Sequence, residues 1–260
     1  MKPIGRYIKS IRTMAVLTFA AIIMLPAHSQ GQSPAVETKA DRLLREMSAY
    51  LAALEQFSVQ TENTLEAVLT SGEKIQFDNP VNLSMRRPNK LRVDRKGDIV
   101  RQEFFYDGTT LTLHMLDEKY YATVEAPPTI EETIDFAMAV LDVYAPGGDL
   151  IYMNAYDVLM EDVLSGFYVG LSVVGGLRCH HLAFRGKEVD WQIWIEEGDK
   201  PLPKKFIITT KWMTGAPQFT LFVKAWNLSP DFADDVFTFV PPKDAYKVDF
   251  MGPANLEFRR

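Results

Sequence analysis

The sequence predicts a mainly β fold: an open antiparallel β-barrel or half-barrel of about ten or eleven strands, with an N-terminal helix and a middle helical lid. Three observations support this. Short runs with apolar and polar residues in alternation begin at Phe57 and continue to Val240. Short polar turns such as Asp107-Gly108 join them, as in hairpins. No repeated strand–helix–strand alternation occurs, which disfavours a doubly wound parallel sheet.

Helical periodicity is restricted to the start and the middle of the chain. Residues 37–56 predict an amphipathic helix, because apolar side chains recur there at three- and four-residue steps. Thr129 and Glu132 form a capping-box sequence that starts a helix over 130–145, apolar over most of its circumference and stopped at Pro146. A second helix is predicted over 149–162.

The remaining apolar runs are predicted to be strands. Their spacing of about 8–15 residues, with short polar turns between them, indicates sequential antiparallel pairing. The segments that fit the strand pattern, from which we expect the ten or eleven strands to form, are 57–69, 74–77, 81–85, 91–94, 100–106, 110–115, 120–124, 167–174, 179–185, 189–196, 204–213, 218–227 and 236–240.

The first 29 residues have the pattern of an export signal. Lys2, Arg6, Lys9 and Arg12 precede an apolar run from Met14 to Leu25, which is too short to span a membrane. Ala27 and Ser29 supply the small residues of a cleavage site, so we expect cleavage near Ser29 and a periplasmic location. An uncleaved anchor is the alternative. After cleavage no transmembrane anchor is expected.

We therefore predict a signal peptide at 1–29, a linker at 30–36, one domain at 37–250 and a tail at 251–260. The signal holds four basic residues and no acid, so its removal changes the net charge from −6 to −10. An acidic surface disfavours binding to nucleic acid. We expect a monomer.

No catalytic or metal-binding constellation is recognisable. Cys179 and His181 alternate in a predicted strand and so share a face, but two ligands do not make a zinc site. Packing is the alternative role for both. The sequence thus predicts no metal, no cofactor and no enzymatic activity; an enzyme or metal-site protein that uses Cys179, His181 or Asp190 is the least favoured hypothesis.

Apolar side chains on one side of several strands indicate either an ordinary core or a cavity that accepts a ligand. The candidate cavity wall combines strand residues with residues of the middle helix: Leu111, Leu113, Ile134, Met138, Leu141, Trp191, Ile193, Phe219 and Leu221.

The order of several short motifs resembles a known family. Arg87-Pro88 with Leu91-Arg92, then Tyr106-Asp107-Gly108, and later Asp190–Trp194 are similar to an uncharacterised family of periplasmic proteins in the lipoprotein-carrier (LolA/LolB-like) superfamily. The resemblance covers about residues 40–249.

This resemblance implies an apolar cavity that takes a lipid, a lipoprotein acyl chain or another apolar ligand beneath the lid at 130–145. In the carriers, the arginine of the Arg-Pro motif ties the lid, and Arg87 has that position. A surface ion pair is the alternative role for Arg87. The expected partner is an apolar ligand or a lipid-modified protein. A sensor or scaffold that binds an envelope protein through the same fold is the second hypothesis.

Overall fold

The computed structural model describes residues 35–141 and 143–250. The predicted signal peptide, most of the linker and the predicted tail lie outside the described residues. The helices are α1 (Thr38–Ala52), α2 (Ile130–Val140) and α3 (Ala155–Met160), and 3-10 turns occupy Gly148–Ile151 and Asp234–Phe237. The strands are β1 (Gln56–Val68), β2 (Lys74–Arg86), β3 (Lys90–Lys96), β4 (Arg101–Tyr106), β5 (Thr110–Met115), β6 (Tyr120–Glu125), β7 (Val163–Val174), β8 (Leu177–Gly186), β9 (Val189–Glu196), β10 (Pro203–Thr210), β11 (Gln218–Asn227) and β12 (Tyr246–Lys247).

All these strands belong to one 12-stranded sheet in the order β12-β6-β5-β4-β3-β2-β1-β11-β10-β9-β8-β7. Neighbouring strands are antiparallel, except that β12 pairs with β6 in parallel. β1 pairs with β2 along its whole length and with β11 on its other side, so it joins the two halves of the sheet. The predicted mainly β, open antiparallel fold is confirmed, and the sheet is not closed.

Two strand predictions were wrong in detail. Residues 74–77 and 81–85 belong to the single strand β2, which continues through Pro80. Pro80 stands opposite Glu62 of β1 without interrupting the register. The predicted strand at 236–240 is replaced by the 3-10 turn Asp234–Phe237, whose Phe237 is fully buried. Aromatic packing, rather than strand pairing, holds this segment. Phe237 packs against the Phe232 ring, and the Phe239 ring packs against three rings of the sheet: Phe105, His114 and Tyr121.

The helices are shorter than predicted. α1 ends at Ala52 rather than at the predicted residue 56, and β1 begins four residues after Ala52. Thr129 caps α2 as predicted, since its hydroxyl accepts the Glu132 N–H at 3.3 Å. The Glu132 carboxylate accepts the Thr129 hydroxyl at 2.9 Å, in place of the backbone bond of a full capping box. α2 nevertheless ends at Val140, not at 145, ahead of the Pro146-Gly147 break. The predicted second helix over 149–162 consists of a 3-10 turn followed by α3.

Two apolar clusters fill the space between the sheet and the helices. α1 covers β8–β10, where Leu44 and Met47 pack in one cluster with Ile193 and Phe206. α2 covers the other half, and there Ile130 and Ile134 pack with residues of β1–β5. Burying each such side chain stabilises the fold by roughly 1.5–3 kcal/mol. The concave side of the sheet therefore carries two differently covered regions.

Candidate functional site

A cavity of about 220 Å³ lies between the concave face of the sheet and the cover segment, by which we mean residues 130–141 and 143–151. The cavity is partly open to solvent. Its lining includes residues from β1–β5, β11 and the cover segment: Val59, Thr61, Asn63, Leu65, Asn79, Val81, Leu83, Leu91, Val93, Arg95, Gln102, Phe104, Leu111, Thr133, Ile134, Ala137, Leu150, Ile151, Phe219, Leu221, Val223 and Trp226.

Strand register produces the apolar part of this wall. Val59 stands opposite Leu83, Leu83 opposite Val93, and Val93 opposite Phe104. Opposite residues point to the same face of an antiparallel sheet, so the four side chains form one apolar row across β1–β4. The alternation seen in the sequence is what places them together.

The cover segment reaches across the cavity to β11. Gly147 adopts the left-handed conformation, with φ of 80°. A Cβ atom on this residue would lie 3.3 Å from Leu221 Cδ1. Glycine thus allows the backbone both to turn and to approach the side chain of Leu221 closely.

Arg87 connects three parts of the chain at one side of the cavity. Its Nε donates to the Leu54 carbonyl at 3.2 Å, just after α1. Its Nη1 donates to Glu131 Oε1 of α2 at 3.0 Å, and its Nη2 donates to the Ile151 carbonyl at 2.8 Å. Only 11% of the Arg87 side chain is exposed. Glu131 Oε1 also accepts the Met153 N–H at 3.0 Å. This bond ties the chain just after residue 151, the last residue of the cover segment, to α2.

Several acids lie in or beside the cover segment. Burial raises the pKa of Asp149, and the charge of Asp135 raises it further. The Tyr152 hydroxyl donates to Asp135 Oδ1 at 2.8 Å, and burial together with this bond raises the pKa of Tyr152. Burial lowers the pKa of Arg87, while Glu131 opposes that shift. An arginine nevertheless stays charged at all ordinary pH values.

A family model described as "Predicted periplasmic protein (DUF2092)" matches residues 40–251. The chain belongs to this family. The protein is periplasmic, in agreement with the location predicted from the sequence. No protein of curated function matches the DUF2092 chain significantly.

Several solved structures are similar to this DUF2092 protein. An uncharacterized conserved protein from Thermus thermophilus has a TM-score of 0.49 at 10% identity, over 81% of this chain and 99% of that chain. A LolA superfamily protein from Nitrosomonas europaea has a TM-score of 0.38 at 12% identity, over 77% of this chain and 97% of that chain. MucB in the Pseudomonas aeruginosa MucA/MucB complex has a TM-score of 0.41 at 15% identity, over 78% of this chain and 61% of that chain.

Four of the nine wall residues predicted from the sequence line the cavity, namely Leu111, Ile134, Phe219 and Leu221. Whether they bind a ligand stays a prediction. The other five lie elsewhere in the fold.

Trp191 and Ile193 pack beneath α1, because that helix covers their half of the sheet. Met138 is 37% exposed on the outer side of α2. Leu141 follows α2 and packs against the apolar cluster that contains Ile130 and Ile134. Leu113 lies in β5 opposite Phe104, outside the set of residues that line the cavity.

The polar end of the cavity was missed from the sequence. Thr61 stands opposite Val81, Val81 opposite Arg95, and Arg95 opposite Gln102. A signal was present: in β1, β3 and β4 the inward-facing positions change from apolar to polar within two residues. Arg95, for example, follows Leu91 and Val93 at the same two-residue step.

The cysteine–histidine motif occupies a packed part of the sheet. Cys179 is buried beside Trp194, and the His181 ring stacks on Trp194 with centroids 4.0 Å apart. Burial lowers the pKa of His181, whose Nε2 lies 2.9 Å from Gln192 Oε1. Over residues 35–141 and 143–250, no three potential metal ligands cluster.

In the part of the chain that the structure describes, none of the helices combines the length and the apolar character needed to cross a membrane.

Proposed function

We propose that this protein is a periplasmic binding protein that holds an apolar chain, such as the tail of a lipid or an acyl group, in the cavity beneath the cover segment. The observation that carries the proposal is a largely apolar cavity between a concave sheet and a segment attached through Arg87. An apolar surface that lines a partly open cavity is typical of a site that binds an apolar ligand.

The size of the cavity limits the ligand. Its volume of about 220 Å³ is below the roughly 300–1,000 Å³ of most small-molecule pockets. We therefore propose that the conformation seen here accommodates one alkyl chain. Movement of the cover segment would be needed for a bulkier lipid.

Arg87 is the proposed latch of this movement. Its bonds to Glu131 and to the Ile151 carbonyl hold both ends of the cover segment against the sheet. A guanidinium suits this role because its planar donors reach several acceptors at once. Release of these bonds would free α2 and the following turn while the strands stay paired.

Native mass spectrometry of the protein purified from its own periplasm tests the proposal, together with titration by a fluorescent fatty acid. A ligand-free spectrum together with no fatty-acid binding would refute the proposal. Val81→Phe should fill the cavity and weaken binding, because Val81 is a half-buried lining residue. Asn82→Phe is the matched control: it adds the same ring to the opposite, exposed face of the same strand.

A protein partner is the second candidate, favoured by the edge strand β7. β7 is the last strand of the sheet, and Phe167, Val169, Leu171 and Val173 are each about half exposed or more. An edge with exposed apolar side chains is a template for strand addition. Recovery of one envelope protein by the wild type but not by Val169→Lys would support this function, and equal recovery by both would contradict it.

A further inference from the structure

The wall of the cavity changes from apolar to polar along its length. Under the cover segment the rows are apolar, as in Val59, Leu83, Val93 and Phe104. Two residues further along β3, the same face presents Arg95. A cavity with this gradient matches a molecule that is itself apolar at one end and polar at the other.

Arg95 has an unusual position for a charged residue. Among the ion pairs of residues 35–141 and 143–250, none includes Arg95, although it is half-buried and lines the cavity. The adjacent acid, Asp94, points to the opposite face and pairs with Arg92 at 2.8 Å. Partly buried charges are normally paired with an opposite charge. Among the described residues, no acidic side chain pairs with Arg95 at this end of the cavity, and the nearby acids Asp94 and Glu103 pair with Arg92.

The guanidinium of Arg95 is held in place by a neutral group. Its Nε and Nη2 both donate to Asn79 Oδ1 at 3.1 Å. Asn79 is 4% exposed and is anchored through its own Nδ2 to the Phe77 carbonyl at 3.3 Å. Gly97 allows this arrangement, since a Cβ there would lie 2.0 Å from Asn79 Oδ1. Two of the five guanidinium N–H groups are used, and the others remain for a ligand.

Two further polar atoms at this end lack partners. Thr61 Oγ1 and Asn63 Oδ1 are buried and make no hydrogen bond within the described part of the chain. Buried polar atoms in native proteins normally have a partner, including bound water or ligand. An anionic group bound at this end would accept a hydrogen bond from the Thr61 hydroxyl, and one from Asn63 Nδ2 after the side-chain amide of Asn63 flips.

We infer that Arg95 binds the anionic headgroup, a carboxylate or a phosphate, of an amphiphile whose alkyl tail lies along the apolar rows. This inference rests on the proposed function and adds the chemical class of the ligand. The charge of the guanidinium selects the anion, and its planar donors match two oxygen atoms of either group.

Isothermal titration calorimetry of the purified full chain with four amphiphiles of equal tail length tests the inference. They are dodecanoate, dodecyl phosphate, dodecanol and dodecyltrimethylammonium, with the three ionic amphiphiles below their micelle concentrations and dodecanol below its solubility limit. We expect both anions to bind about tenfold more tightly than dodecanol, as charge-assisted hydrogen bonds imply, and the cation to bind most weakly. The ratio of the two anion affinities then distinguishes a fatty acid from a phosphate headgroup.

Arg95→Gln should remove the preference for anions and leave the affinity for dodecanol unchanged. Arg101→Gln is the charge-matched control, because Arg101 is exposed and pairs with Asp117 away from the cavity. Arg95→Lys keeps the charge and should retain part of the preference, which a purely structural role would not produce.

Equal binding of dodecanoate and dodecanol by the wild type would overturn this inference and leave the proposed function intact. An equal loss for anions and alcohol in a folded Arg95→Gln would also overturn it. No binding of any of the four would refute the proposed function as well. The wild-type comparison decides the matter even where Arg95→Gln does not fold.

Discussion

Replacement of Arg87 by glutamine tests the proposed latch most directly. The change removes the guanidinium that donates to the Leu54 carbonyl, to Glu131 and to the Ile151 carbonyl. Glutamine keeps a polar group but lacks the charge and the reach to satisfy three acceptors. The contacts that join the cover segment to the sheet should therefore weaken selectively.

The size of the effect follows from the burial of the pair. Removing one partner of a buried ion pair costs about 3–5 kcal/mol. Arg87 and Glu131 have 11% and 20% of their side chains exposed, and Glu131 keeps the Met153 N–H. We therefore expect the lower end, about 3 kcal/mol, in the free energy of opening the cover segment, or somewhat more than a hundredfold in its opening equilibrium.

Native-state hydrogen exchange measures this opening residue by residue. In Arg87→Gln, the protection of the α2 amides of Ile134 and Ala137 should fall by about a hundredfold. The amides of Ile193 and Phe206, in strands beneath α1, should keep their protection. A fall of less than about threefold in α2, or an equal fall in both regions, would refute the latch.

Arg86→Gln is the control one residue away. Arg86 points to the other face of β2, where it pairs with Asp234 and lies over the Phe237 ring at 5.4 Å. Arg86→Gln removes the same charge from the last residue of β2, directly before Arg87. Exchange in α2 should not change in this variant, whereas exchange near residues 234–237 should increase.

Three further predictions concern the cover segment and the lone thiol. Gly147→Ala should lower the free energy of unfolding by about 1–2 kcal/mol in urea titrations, because φ is 80° and the new Cβ would lie 3.3 Å from Leu221; an unchanged midpoint would contradict this. The raised pKa of Asp149 means that its ionisation disfavours folding, so its penalty is absent below the unfolded value of about 3.8 and grows as the pH rises through the folded pKa. Asp149→Asn should therefore be more stable than the wild type at pH 7 but not at pH 3, and equal stability at both would refute the shift. Cys179 is buried and burial raises its pKa, so Ellman's reagent should modify it quickly only after unfolding in urea, and rapid native modification would contradict its placement.

The sequence predicted the local features of this fold because local chemistry determines them. The Asp107-Gly108 turn is one example: Asp107 Oδ1 accepts the Thr109 and Thr110 N–H groups at 2.9 and 2.8 Å, and Gly108 has φ of 91°. The capping of α2 by Thr129 is another. Each depends on side chains within three or four residues of one another, which the sequence shows directly.

Long-range pairing could not be predicted in the same way. β1 pairs with β11, about 160 residues later, and no local pattern specifies that register. The alternation in β9 correctly placed Trp191 and Ile193 on the inner face, but alternation does not tell which helix covers a given part of that face. Both residues therefore lie under α1 and not beside the cavity.

For a ligand too bulky for the closed conformation, the latch and the tail of the ligand act against each other, and their magnitudes limit which of these ligands can open the cover segment. Opening by loss of the Arg87 bonds costs about 3 kcal/mol. Burial of an alkyl chain contributes about 0.8 kcal/mol per methylene. A tail of roughly four methylenes offsets the latch, and longer tails supply net affinity. Arg95 adds selectivity at the polar end without contributing to this balance for a neutral ligand. Arg87→Gln should therefore bind a bulkier, two-tailed lipid more tightly than the wild type does in a lipid titration, whereas both proteins should bind a single-chain alcohol with equal affinity.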